Sequence, residues 1–102
     1  MAVPLAPTRL GSLVEQHRVE IVALVHRHEG RGIAVFGSVA RGEDGPDSDI
    51  DFLVELAQGS SLFDLMRLED DLTELLGCRI DVVSVGALLD RDDDIRADAV
   101  PL

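Results

Sequence analysis

The chain has 102 residues, with 20 Asp and Glu against 9 Arg, no Lys, and a formal net charge of −11. About 100 residues build one domain around one modest core, which leaves no room for a separate substrate-binding module. The acidity excludes an autonomous nucleic-acid binder, whose affinity comes from Lys and Arg, and the absence of lysine excludes a Walker A phosphate loop.

Met1-Ala2-Val3-Pro4-Leu5-Ala6-Pro7 has neither a basic region nor a sustained apolar stretch, and no run approaches the length of a membrane span, so a soluble cytoplasmic protein is expected. Leu10, Leu13, Val14, Ile21, Leu24 and Val25 keep a spacing of three and four, with His17 and His28 on the same stripe. This predicts one amphipathic helix, begun by a Ser12/Glu15 capping box or as early as Thr8, and stopped at Gly30. The histidines read as surface groups or partners of the helix dipole rather than metal ligands.

Ile33-Ala34-Val35-Phe36 predicts a buried strand ending at Gly37, and Ser38 to Arg41 a helical turn before Gly42. Residues 42–48, rich in Gly, Pro, Asp and Glu, form a loop. A second strand follows from Asp49 to Leu56. Leu62, Leu65, Leu68, Leu72, Leu75 and Leu76 define one face of a second helix, with Ser61 as N-cap, Asp64 three residues on, and Gly77 as the stop. Cys78, the single cysteine, reads as a small buried hydrophobe. The third strand runs from Arg79 to Val85, and the tail from Ala87 carries a weak helical pattern. Its acidic run, Asp90-Arg91-Asp92-Asp93-Asp94, is a solvated stretch or a contact for a basic partner. The fold class is α/β, a single domain over residues 1–102 with one small mixed sheet packed against helices.

The chemistry resides in Gly37-Ser38, then ten residues, then Asp49-Ile50-Asp51, with Asp81 on a later strand. Side chains two apart on a strand share a face, so Asp49 and Asp51 project together and repel. Tolerating that repulsion in an apolar strand calls for a divalent cation, and carboxylate oxygens suit Mg²⁺. If the third strand neighbours the second, Asp81 completes a three-carboxylate site able to support two metal ions that activate an attacking hydroxyl and stabilise charge on a transferring phosphorus. A glycine at a strand-to-helix turn lets backbone amides approach a phosphate. Ser38 adds a hydroxyl donor, and Arg41 is the nearest permanent cation. Haloacid-type phosphatases also use Asp-x-Asp, but at the end of a strand and with a lysine, neither of which this chain provides.

Together, Gly37-Ser38-Val39-Ala40-Arg41-Gly42, Ser48-Asp49-Ile50-Asp51-Phe52-Leu53-Val54 and Arg79-Ile80-Asp81-Val82-Val83 resemble the minimal nucleotidyltransferases of the polymerase-β superfamily, over nearly the whole chain. Val39 departs from the family's common aromatic or basic residue. The resemblance implies the antitoxin half of a toxin–antitoxin module, transferring AMP from ATP to a tyrosine of a helical HEPN ribonuclease toxin, with which it could form a hetero-oligomer. It implies that Asp49 and Asp51 bind both Mg²⁺ ions. Asp81 would bind the catalytic ion and help deprotonate the hydroxyl, while Gly37, Ser38 and Arg41 would hold the β- and γ-phosphates. A non-catalytic steric antitoxin and a minimal transferase for a small hydroxyl compound such as an aminoglycoside are the alternatives. No direct contact with nucleic acid or membrane is expected.

Overall fold

A computed structural model describes residues 4–88 and 92–102. Met1 to Val3, and Asp90 and Arg91 of the acidic run, lie outside the described residues.

Helix formation starts at Thr8, whose hydroxyl accepts the amide of Gly11 at 3.0 Å, and the apolar stripe then runs through two helices rather than one, α1 (Arg9–Gln16) and α2 (Arg18–Arg27). The break falls at His17, whose amide bonds back to Val14 at 3.1 Å. The Ser12/Glu15 capping box does not form. Glu15 instead accepts the Leu5 amide at 2.8 Å and the Arg18 guanidinium at 2.6 Å, which pulls its carboxyl below the usual carboxylate range. Strand β1 (Gly30–Phe36) follows α2, and the stop comes one residue before the expected glycine, with Glu29 in the left-handed region at φ 63°. Gly30 is needed for another reason: a Cβ there would lie 2.4 Å from the Val25 side chain.

The short helix α3 (Gly37–Arg41) ends at Gly42, and strand β2 covers Ile50–Leu56. Helix α4 (Leu62–Leu76) begins and ends as its sequence predicts. The Ser61 amide donates to Asp64 at 2.9 Å, and Gly77 closes the helix with φ 68°. Strand β3 (Ile80–Ser84) leads into a single 3₁₀ turn (Val85–Ala87). The weak pattern of the tail resolves into helix α5 (Asp93–Asp98) and a two-residue strand β4 (Val100–Pro101).

The sheet order is β3-β2-β1-β4, with β2 and β3 parallel across the α4 crossover and the other neighbours antiparallel. This is the mixed sheet the sequence implied, with β4 added at one edge beside β1. Ile33, Val35, Ile50, Phe52, Val54 and Ile80 line one face and bury against Leu10, Val14, Ile21, Val25, Leu68 and Leu72 of the helices. Full burial of each such side chain contributes about 1.5–3 kcal/mol. Cys78 is half-buried against this core, and burial pushes its thiol up.

Candidate active site

The antiparallel register sets Phe36 opposite Asp51, so β1 delivers the Gly37 turn to the end of the sheet where β2 begins. The parallel register sets Asp81 beside Asp51 and Ile80 beside Ile50. In paired strands such neighbours point the same way. Asp49, Asp51 and Asp81 therefore share one face, while Ile50, Phe52 and Ile80 supply the core on the other. The proximity of strands two and three, on which the third carboxylate depended, is met.

Gly37 has φ 72°, and a Cβ placed on it would lie 2.4 Å from Oδ2 of Asp51. The turn backbone and the carboxylate thus occupy adjoining space, and only glycine supplies both the angle and the room. Burial, then the charges of Asp81 and Asp49, hold the Asp51 carboxyl above the usual carboxylate range, while Arg41 acts in the opposite direction.

Asp81 itself is exposed, although its neighbours in sequence, Ile80, Val82 and Val83, are apolar. As β3 is an edge strand, the carboxylate faces solvent from the open face of the sheet. Asp49 lies just ahead of β2, with Oδ1 2.9 Å from Nε of Arg79, too poorly aligned to count as a hydrogen bond. That oxygen is buried and has no hydrogen-bond partner. Arg79 is 74% exposed, and an ion pair of that kind exchanges at little cost.

Among the described residues no three His, Cys, Asp or Glu side chains already converge as a metal cage. The donor set nevertheless fits a hard divalent cation. It offers three carboxylates on one face, a buried Asp49 oxygen whose ion-pair partner is the exposed Arg79, and one carboxylate whose charge its surroundings disfavour.

Arg41, the last residue of α3, is bonded to two carboxylates other than Asp49, Asp51 and Asp81. Its Nη1 donates to Oδ2 of Asp98 on α5 at 2.5 Å, and its Nε donates to Glu43 at 3.3 Å. Ser38 sits in the first turn of α3, and its carbonyl accepts the Glu43 amide at 2.8 Å. Val39 is fully buried in the core, so the departure from the family's usual residue changes packing rather than a site contact.

Asp44 was not singled out from sequence. The Leu10 amide donates to it at 3.2 Å, anchoring the loop over residues 42–49 to the start of α1. Burial raises its carboxyl, but hydrogen bonds from Thr8 and Leu10 outweigh that and hold it below the usual range. An Arg79 donor to the Asp47 carbonyl at 2.9 Å fixes the far side of the same loop. His28 also lies outside the site, bonded at 2.5 Å to Asp71 of α4.

The nucleotidyltransferase domain family matches residues 19–100. The chain belongs to this family. The protein adenylyltransferase MntA of Thermococcus cleftensis is 42% identical over 77 residues, which cover 76% of this chain and 75% of the relative. A solved minimal nucleotidyltransferase is 40% identical with a TM-score of 0.82, covering 95% of this chain and 99% of that one. An MNT antitoxin structure, solved in complex with tri-AMPylated HEPN toxin of Shewanella oneidensis, shares the fold at 18% identity and a TM-score of 0.65, covering 85% of this chain and 69% of that one.

Proposed function

We propose that the chain is a protein adenylyltransferase antitoxin that transfers AMP from ATP to a tyrosine of a cognate HEPN ribonuclease toxin in the cytoplasm and so silences it. The reading is carried by Asp49, Asp51 and Asp81 on one face, with the Gly37 turn packed against Asp51. The relative named MntA and the antitoxin fold of the solved complexes support it.

In this reading the tyrosine oxygen attacks the α-phosphorus in line. The new O–P bond forms as the bond to the β-phosphate oxygen breaks, and pyrophosphate leaves. Asp81, exposed at the sheet edge, takes the hydroxyl proton. Asp49 and Asp51, joined by Asp81, would hold Mg²⁺, which supplies charge neutralisation on the triphosphate and Lewis acidity at the attacking oxygen. The Gly37-Ser38 amides, the Ser38 hydroxyl and Arg41 would hold the β- and γ-phosphates, where negative charge grows as pyrophosphate departs.

The test is to mix the protein with its co-encoded toxin, Mg²⁺ and ATP, and follow adenylylation by intact mass. The wild type should add AMP, and the Asp49→Asn/Asp51→Asn double variant should add none while melting as a folded protein. Wild-type rates in the double variant would overturn the mechanism. Full silencing of the toxin by that variant would identify a steric antitoxin instead. Transfer to an aminoglycoside but never to the toxin would identify a small-molecule transferase.

A further inference from the structure

Arg41 is anchored from two directions. Glu43, two residues on, takes Nε, and Asp98, fifty-seven residues on, takes Nη1. Its Nη2 makes no hydrogen bond among the described residues. The second anchor is itself held in place. Two residues beyond Asp98, Val100 pairs with Val35 on β1, directly ahead of the Phe36–Gly37 turn, and α5 packs on both α3 and β1. Asp98 is therefore fixed with respect to the turn that would cradle a phosphate. A free arginine loses about 2 kcal/mol of rotamer freedom when a ligand immobilises it, whereas a guanidinium already held at two nitrogens has lost most of that before the ligand arrives.

We propose that Asp98 is a positioning residue of the nucleotide site: with Glu43 it fixes the Arg41 guanidinium beside the Gly37-Ser38 turn, so that the remaining nitrogen is presented to a triphosphate oxygen. This rests on the reading of Arg41 as a phosphate ligand given above. Ser38 and Arg41 are three residues apart on α3, so they lie on the same side of the helix that follows the turn.

The idea runs against simple electrostatics, and that makes it testable. Removing a carboxylate near a triphosphate should tighten binding if charge alone mattered. Positioning demands that it weaken.

Binding of an ATP analogue with a methylene α,β-bridge is measured with Mg²⁺ by calorimetry, so that no turnover intervenes. Asp98→Ala should weaken binding roughly tenfold, the size expected for one charge-assisted hydrogen bond. Asp98→Glu should recover part of the loss. Asp94→Ala, which removes the same charge from an exposed position on the same helix, should not weaken binding. In an Arg41→Ala background, Asp98→Ala should have no further effect. If Asp98→Ala leaves too little folded protein to titrate, Asp98→Asn serves in the same cycle, with a smaller loss expected.

Unchanged or tighter binding on loss of Asp98 overturns the proposal, as does an effect that persists without Arg41, which would reveal a general loosening of the α5–β4 segment. Failure of the wild type itself to bind the analogue would overturn the nucleotidyl-transfer reading and this proposal with it. A wild type that binds beside an indifferent Asp98 variant overturns this proposal alone.

Discussion

Asp51 is a residue whose own fold penalises its charge. Its folded pKa lies above the unfolded value, so at any pH above both the ionised group subtracts from stability. The penalty is relieved as pH falls through the folded pKa, and it is removed by neutralisation. Asp51→Asn should therefore melt higher than the wild type in chelator at neutral pH, with the gap closing as the buffer is taken into the acid range, as measured by thermal unfolding. Mg²⁺ should raise the melting temperature of the wild type and leave that of Asp49→Asn/Asp51→Asn unmoved. Gly37 is constrained more sharply. An alanine there must adopt a positive φ and find room beside Oδ2 of Asp51, so Gly37→Ala should cost about 1–3 kcal/mol in denaturant unfolding and displace the carboxylate.

At the scale of elements, most of the fold was legible. Helix α4 could be placed to the residue because its cap, its leucine face and its glycine stop all lie within one local stretch. The division of α1 from α2 was hidden because Val14 and Ile21 are seven residues apart, which preserves the helical phase across the break at His17. Periodicity reports phase, not continuity. Strand β4 escaped notice because two residues carry no pattern, and its pairing to Ala34 and Val35 is decided across the molecule. Asp49 and Asp51 were readable as a pair from their spacing, and Asp81 only on the condition that the third strand neighbours the second, whereas the anchoring of Asp44 at α1 and of Arg41 at α5 spans 34 and 57 residues and leaves no local trace. Glu29 also departs from the expected glycine stop. A non-glycine residue in the left-handed region costs about 1 kcal/mol, so Glu29→Gly should stabilise the protein by up to about that amount, read as a higher urea midpoint with an unchanged slope.

Across the whole molecule the sheet divides labour between its faces. One carries the core under α1, α2 and α4; the other carries the carboxylates, with Phe36 and Leu53 buried near them. A cavity of about 610 Å³ lies between α2 and α4, lined by Leu24, Arg27, Asp71 and Glu74, and a second of about 220 Å³ lies beside Ser60. Both are away from the carboxylates. Neither offers an acceptor a pocket next to Asp81. If the acceptor is a toxin tyrosine as proposed, free tyrosine, or a short peptide containing one, should accept little or no AMP at millimolar concentration under conditions that modify the folded toxin, as checked by mass spectrometry.

The open carboxylate face has an evolutionary consequence. If, as proposed, the acceptor is a partner protein seated in neither cavity, the choice of target rests on surfaces remote from the bond being made. Such a protein can exchange one client for another by altering its contact surface while every residue of the reaction stays fixed.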